Sequence, residues 1–211
     1  MKITFEQLQE EYEQLLNGPV QKEEVYHQFF VKYPIFLPLW KPYNNAIFSK
    51  LNLSTQHQVD FAFARENTPG VTWHFIEIEK PNHLQFTKNG NPSKELSHGL
   101  RQIHDWDNWF KINRTQIEKY FPYSEKVNEI GLARPEFKLI IGRRENALGN
   151  PLIQSFGGSL VDIMSYDRLI ENLEHPFIKF NKPIEVCSFV NGKIKTISKF
   201  KINYSYTIEI E

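Results

Sequence analysis

The stretch that most restricts what this chain can fold into is Val71 to Glu79, VTWHFIEIE, read with Val59, Asp60 and Phe61 just before it. Both are short extended runs, and Asn67-Thr68-Pro69-Gly70 between them carries turn chemistry. Alternation in the second run puts Phe75, Glu77 and Glu79 on one face and His74, Ile76 and Ile78 on the other. Two carboxylates on one face of an apolar strand are costly to bury without a partner. Asp60 supplies a third on the preceding run. Two readings follow. The glutamates face solvent on the open side of an antiparallel sheet, or guard its edge. Alternatively the three carboxylates hold a divalent cation, since Mg²⁺ takes hard oxygen ligands and leaves positions for water and a phosphate.

Composition narrows the class. The chain has 211 residues, enough for one sizeable core, with 25 Lys+Arg against 25 Asp+Glu. A balanced charge neither requires nor excludes nucleic acid. The single cysteine, Cys187, excludes an internal disulfide framework and a cysteine-based zinc site. It lies in an apolar run and is expected in the core. The first residues, MKITFEQLQEEYEQLL, have no signal-peptide apolar core, and no run is long enough to span a membrane. The expected compartment is the cytoplasm.

Taken in order, helical periodicity predicts helices over 5–16, 21–32 and from Lys94 to Trp109 or beyond, the last capped by Ser93. Residues 35–43, IFLPLWKPY, carry too much apolar surface for a linker and are expected as a packed loop. Residues 47–53 form a short element of either type. Strands are predicted over 58–64, 71–80, 137–142 and 160–164, with a helix over 166–173 and an irregular stretch over 120–135. Strand and helix alternation from 58 to 175 implies an α/β core with a mixed sheet. From Pro176 onward strands are predicted over 177–180, 184–189, 193–200 and 202–210, with a hairpin turn at Asn191-Gly192. The expected division is a first domain over 1–175 and a β-rich extension over 176–211 packed on it. The extension has six lysines (179, 182, 193, 195, 199 and 201) against three glutamates, a solvated face or a phosphate contact.

An acid, a turn, a Glu-x-Glu on the next strand and then a helix with a glutamine resembles the PD-(D/E)XK nuclease superfamily. Asp60 and Glu77 match its two acids and Gln102 its glutamine, with Trp106 one turn later where a tyrosine is usual. The likeness extends to the Shedu family of antiviral defence nucleases. It is carried by Glu24 to Phe30 ending in Tyr33-Pro34, by Glu77-Ile78-Glu79-Lys80-Pro81, and by the helix from Ser93 to Trp109. Lys138 to Arg143 and Val161 to Leu169 complete it. It covers about residues 20–175. It implies a restriction-endonuclease-like mixed sheet flanked by helices, with a C-terminal β-hairpin extension.

The resemblance implies a metal-dependent DNA endonuclease in antiphage defence, using Mg²⁺ or Mn²⁺, with DNA as partner and a homo-oligomeric state. Asp60, Glu77 and Glu79 would hold the metal, Glu24 would support a metal-bound water, and Gln102 would orient a nucleophile or phosphate. Arg101, Arg143 and Arg144 are candidate phosphate contacts, or surface charges near element ends. The family's lysine position holds Glu79, with Lys80 next to it. Either Glu79 acts in the lysine's place, or a local bulge swings Lys80 into the site. The same departure leaves open a module that binds DNA or a partner without cleavage, and a structural role in which the C-terminal strands pair between subunits. His83, His98 and His104 lie near the site in sequence without metal-ligand spacing and are expected as surface or supporting residues.

Overall fold

The computed structural model describes residues 2–39, 42–67, 70–113, 121–122, 135–146, 158, 160–173, 182–203 and 207–210. Nine strands form one mixed sheet. In chain order they are β1 (Lys2–Thr4), β2 (Ala46–Asn52), β3 (Gln58–Asn67), β4 (Gly70–Ile78), β5 (Glu136–Ile140), β6 (Val161–Met164), β7 (Ile184–Val190), β8 (Lys193–Ile202) and β9 (Thr207–Ile210). Across the sheet the order is β1-β9-β8-β7-β2-β3-β4-β5-β6. The helices are α1 (Phe5–Asn17), α2 (Glu23–Lys32), α3 (Lys94–Ile112) and the short α4 (Tyr166–Leu169).

Strand alternation decides how the faces are covered. Phe61, Phe63, Ile76 and Ile78 face a core built from Leu8 and Tyr12 of α1, Tyr26 and Phe30 of α2, and Tyr166 of α4. Trp73, Phe75 and Leu139 face the opposite core, with Leu96, Ile103, Trp106 and Phe110 of α3. Removing one such buried aromatic costs about 3–5 kcal/mol. Tyr12 also donates its hydroxyl to the Tyr166 carbonyl at 2.8 Å, which ties α1 to α4. Thr4 and Gln7 form a reciprocal cap at the start of α1. Ser93 accepts from the Leu96 N–H at 2.9 Å and starts α3 as its sequence predicts.

Most elements fall where periodicity puts them, and the differences have physical causes. Of residues 47–53, all but Leu53 belong to a strand, β2, paired antiparallel with β3 on one side and parallel with β7 on the other. The expected extension is therefore hydrogen-bonded into the same sheet, with Ala46, Ile47 and Phe48 opposite Glu185, Val186 and Cys187. The run expected over 202–210 is split. Ile202 ends β8, Asn203 N–H donates to the Thr207 carbonyl at 2.9 Å, and β9 follows. The three-residue β1 is unforeseen in the sequence because it pairs only with β9. The strand expected over 177–180 and nearly all of 120–135 lie outside the described residues. Ile35, Phe36, Leu37 and Leu39 are buried, as expected of a packed loop, and Cys187 is a buried free thiol. No helix among the described residues is long and apolar enough to cross a membrane.

Gly142 fixes the end of the sheet nearest the carboxylates. Its φ is +68°, and a Cβ there would lie 2.5 Å from the His83 carbonyl oxygen. Its N–H donates to the Lys80 carbonyl, and its own carbonyl accepts from Tyr166. Gly142→Ala is expected to lower unfolding stability in urea by at least about 1–2 kcal/mol, the left-handed penalty alone. Unchanged stability would refute this account of the junction.

Candidate functional site

The carboxylates gather where β3 begins and β4 ends. Asp60, Glu77 and Glu79 are each at most 7 % exposed. Phe61 pairs with Ile76, so continuing the register sets Asp60 opposite Glu77. On the other side, Ser49 pairs with Phe61 and Leu51 with Val59, so Lys50 stands opposite Asp60. Lys50 has φ +51°, which an L residue with a long side chain adopts at a cost. At this point both strands change phase. Phe48 and Leu51 join the α3-side core although they are an odd number of residues apart, and so do Val59 and Ala62. The matched irregularity aims Lys50 and Asp60 at each other.

Asp60 is held from both sides. One carboxylate oxygen accepts from the Lys50 ammonium, the other from the Ile78 N–H at 2.9 Å. Burial lowers the Lys50 pKa, but attraction to Asp60 and their hydrogen bond, then Glu77 and Glu24, outweigh it and leave the ammonium more firmly protonated than usual. His27 lies beneath, stacked on Phe61 with centroids 4.6 Å apart. Its Nε2 is 3.3 Å from Ser49 Oγ. Burial, and next the Lys50 charge, push its pKa down.

Glu79 continues β4 by one residue, its N–H donating to the Ile140 carbonyl at 2.8 Å. Its backbone carbonyl accepts from the Tyr166 hydroxyl at 2.7 Å. Regular pairing thus persists to Glu79 without a bulge. Its carboxylate meets two histidines, His83 Nδ1 at 3.1 Å and His98 Nδ1 at 3.3 Å. The expectation of surface or supporting positions holds for both in that sense, and His98 of α3 is half exposed. His104 is exposed.

Glu77 is different. No hydrogen bond to its carboxylate is found among the described residues. Burial, then the charges of Asp60, Glu79 and Glu23, push its pKa well above the usual carboxylate range, and Lys50 pulls the other way. Glu23, partly buried at the start of α2, is itself raised by burial and by Asp60 and Glu79, with Lys50 and Lys80 opposing. The neighbouring Glu24 is exposed. It accepts from Gln28 Nε2 at 2.6 Å, with His27 Nδ1 at 3.9 Å. Of this pair, Glu23 is the one whose charge is felt at Glu77.

The remaining expected residues divide. Gln102 lies one turn after His98 on α3, and its Oε1 is buried without a hydrogen-bond partner among the described residues. Arg101 is exposed on the same helix. Arg143 is tied to Asp167 at 2.8–2.9 Å and to Asn17 and the Leu16 carbonyl. Arg144 pairs with Glu171 at 2.8 Å. Arg143 therefore joins the β5 end to α4 and α1, while Arg144 joins it to α4 through its N–H on Asp167 and to the turn after α4 through Glu171. Lys80 is partly buried. Lys50, Glu23 and the His83–Glu79–His98 contact are the components that reading the sequence missed. Among the described residues, no three His, Cys, Asp or Glu side chains are arranged to hold an ion as they stand. Lys50 occupies Asp60, and two histidines occupy Glu79.

Glu77 carries a stability consequence. A carboxyl whose folded pKa is raised destabilises the fold at every pH above its unfolded value, because folding must take up a proton or hold an opposed charge. Glu77→Gln is expected to raise Tm at pH 7 by about 2–4 °C, the shift that 1 kcal/mol produces at this length. The gain should fade as pH falls through about 4.3, where the unfolded glutamate is protonated as well. A lower Tm at pH 7 would contradict this picture of opposed charges.

No curated protein matches the chain. The family model described as Shedu protein SduA, C-terminal, matches residues 20–170, a span that includes Asp60, Glu77, Glu79 and all of α3. The chain belongs to the Shedu SduA C-terminal family.

Proposed function

We propose that this chain is a metal-dependent DNA endonuclease of the PD-(D/E)XK type that acts in antiphage defence. The observation that carries the reading is Glu77, a buried carboxylate facing Asp60, Glu79 and Glu23 with no hydrogen bond of its own among the described residues. Such a cluster is unfavourable unless a cation joins it. The donor set is all carboxylate oxygen, which suits Mg²⁺ or Mn²⁺. Family membership supports the defence role.

Asp60 and Glu77, opposite each other on adjacent strands, would hold the ion, and Glu79 would complete the set from the strand end. Such an ion lowers the pKa of a bound water and offsets charge on a scissile phosphodiester. Glu23, and less directly Glu24, would keep the rim acidic. The Gln102 amide, whose oxygen has no partner among the described residues, would accept a hydrogen bond from the attacking water and orient it. His83 and His98 would fix the Glu79 carboxylate. Arg101, on the open face of α3, would contact the DNA backbone. Arg143 and Arg144 would shape the neighbouring surface through their carboxylate partners. Cytoplasmic action and a homo-oligomer complete the proposal. The exposed apolar residues Val190, Ile194 and Ile197 of the β7–β8 hairpin support the oligomer.

A second reading has its own support. Asp60 is already paired with the Lys50 ammonium and the Glu79 carboxylate already meets His83 and His98, which suits a module that binds DNA or a partner without cutting it. Nicking of supercoiled plasmid separates the two. With Mg²⁺ or Mn²⁺ the wild-type chain is expected to nick. Asp60→Ala and Glu77→Ala should each lower the rate by about a hundredfold or more, the scale of losing one preorganised electrostatic group. DNA retention without nicking would establish the binding module instead.

A further inference from the structure

Lys50 is the component that the proposed chemistry does not absorb. It reaches the carboxylates from β2, on the opposite side of Asp60 from Glu77, through a left-handed backbone that few lysines adopt. Its side chain is only about a third exposed, its ammonium bonds one Asp60 oxygen, and it lies in the field of Glu77 and Glu24. Among the described residues it is the cation that bonds directly to this cluster, with Lys80 adding a weaker opposing charge at Glu23. A divalent ion held by Asp60 and Glu77 would bind a carboxylate that the Lys50 ammonium already engages. Two cations cannot share it closely at half-buried depth, where like charges a few ångströms apart repel strongly.

We propose that Lys50 is a tethered counter-cation that competes with the divalent metal for Asp60, and that the displaced ammonium is passed to a phosphate of the DNA. The inference rests on the metal-site reading above and deepens it. Metal entry alone leaves the ammonium beside a second cation. Metal entry together with DNA gives it an anionic partner. Cation and DNA therefore bind cooperatively, and each raises the affinity of the other by the same factor. The device also keeps the carboxylates neutralised when no DNA is present. Lys50 is in this sense a positioning and selectivity residue for the metal, acting through Asp60.

Mn²⁺ binding measured by calorimetry tests this without any turnover. Lys50→Gly removes the ammonium and accepts the positive φ without strain, so its stability loss is limited to the missing ion pair, and circular dichroism checks that the variant is folded. Lys50→Gln keeps a hydrogen-bond donor and tests the charge alone. In DNA-free protein both variants are expected to bind Mn²⁺ about tenfold or more tightly than wild type, given the interaction of unit charges at this depth. Adding a short duplex with non-hydrolysable phosphorothioate linkages should tighten Mn²⁺ binding to wild type and leave both variants nearly unchanged. Equal or weaker Mn²⁺ binding in the variants would overturn the competition while leaving the metal site standing. No Mn²⁺ binding by any of the three proteins, with or without the duplex, would remove the metal-site reading and this inference together.

Discussion

The ion pair between Lys50 and Asp60 is the interaction on which the acidic end of this sheet depends. Asp60 lies between two neighbours that would otherwise be incompatible with a buried carboxylate, the apolar β3 strand and the facing Glu77. The Ile78 N–H satisfies one oxygen and the Lys50 ammonium the other. Removing one member of a buried pair leaves an uncompensated charge and costs several kcal/mol, about 3–5 in well-buried cases; the partial exposure of Lys50 reduces that figure. The pair is built by a matched loss of alternation in β2 and β3, so the same backbone irregularity that positions the charges also turns Leu51 and Val59 into the α3-side core.

Around that pair the fold separates two kinds of carboxylate. Asp60 and Glu79 have partners, one an ammonium and the other two imidazole nitrogens within hydrogen-bond distance. Glu77 is opposed by its neighbours and held by packing. Natural domains keep such unfavourable groups where function needs them and offset them elsewhere. Here the offset comes from two aromatic-rich cores, one on each face of the sheet, whose strands present Phe61, Phe63 and Ile76 to one side and Trp73 and Phe75 to the other.

Much of this was legible in the residues. The period-2 pattern of VTWHFIEIE placed Glu77 and Glu79 on one face with Phe75, and Ser93 and the apolar spacing of Leu96, Leu100, Ile103 and Trp106 defined α3. Glu23 was also within reach of the sequence. It precedes the buried Tyr26 and His27 by three and four residues, so helix geometry puts it on the inner face, whereas Glu24 points outward. Lys50 was hidden because alternation assumes a regular strand, and its only trace is the odd spacing of Phe48 and Leu51. The ion pairs of Arg143 and Arg144 could not be read from the sequence, because their partners Asp167 and Glu171 come later in the chain and no local pattern fixes their position. The parallel pairing of β2 with β7 joins residues well over a hundred positions apart, beyond the range of any periodicity.

That pairing has a consequence for how the chain reaches its folded state. The β2–β3–β4 meander can form from contiguous residues, but its outer strand has β7 as neighbour, and β7 is synthesised much later. Until residues 184–190 arrive, the backbone of Ala46 to Phe48, in the strand that carries Lys50, is an unpaired edge next to the acidic cluster. Such an edge invites pairing with another chain, and closing a contact of this span is slow. The lysines and glutamates of β7 to β9 are the kind of charged side chains that disfavour such pairing.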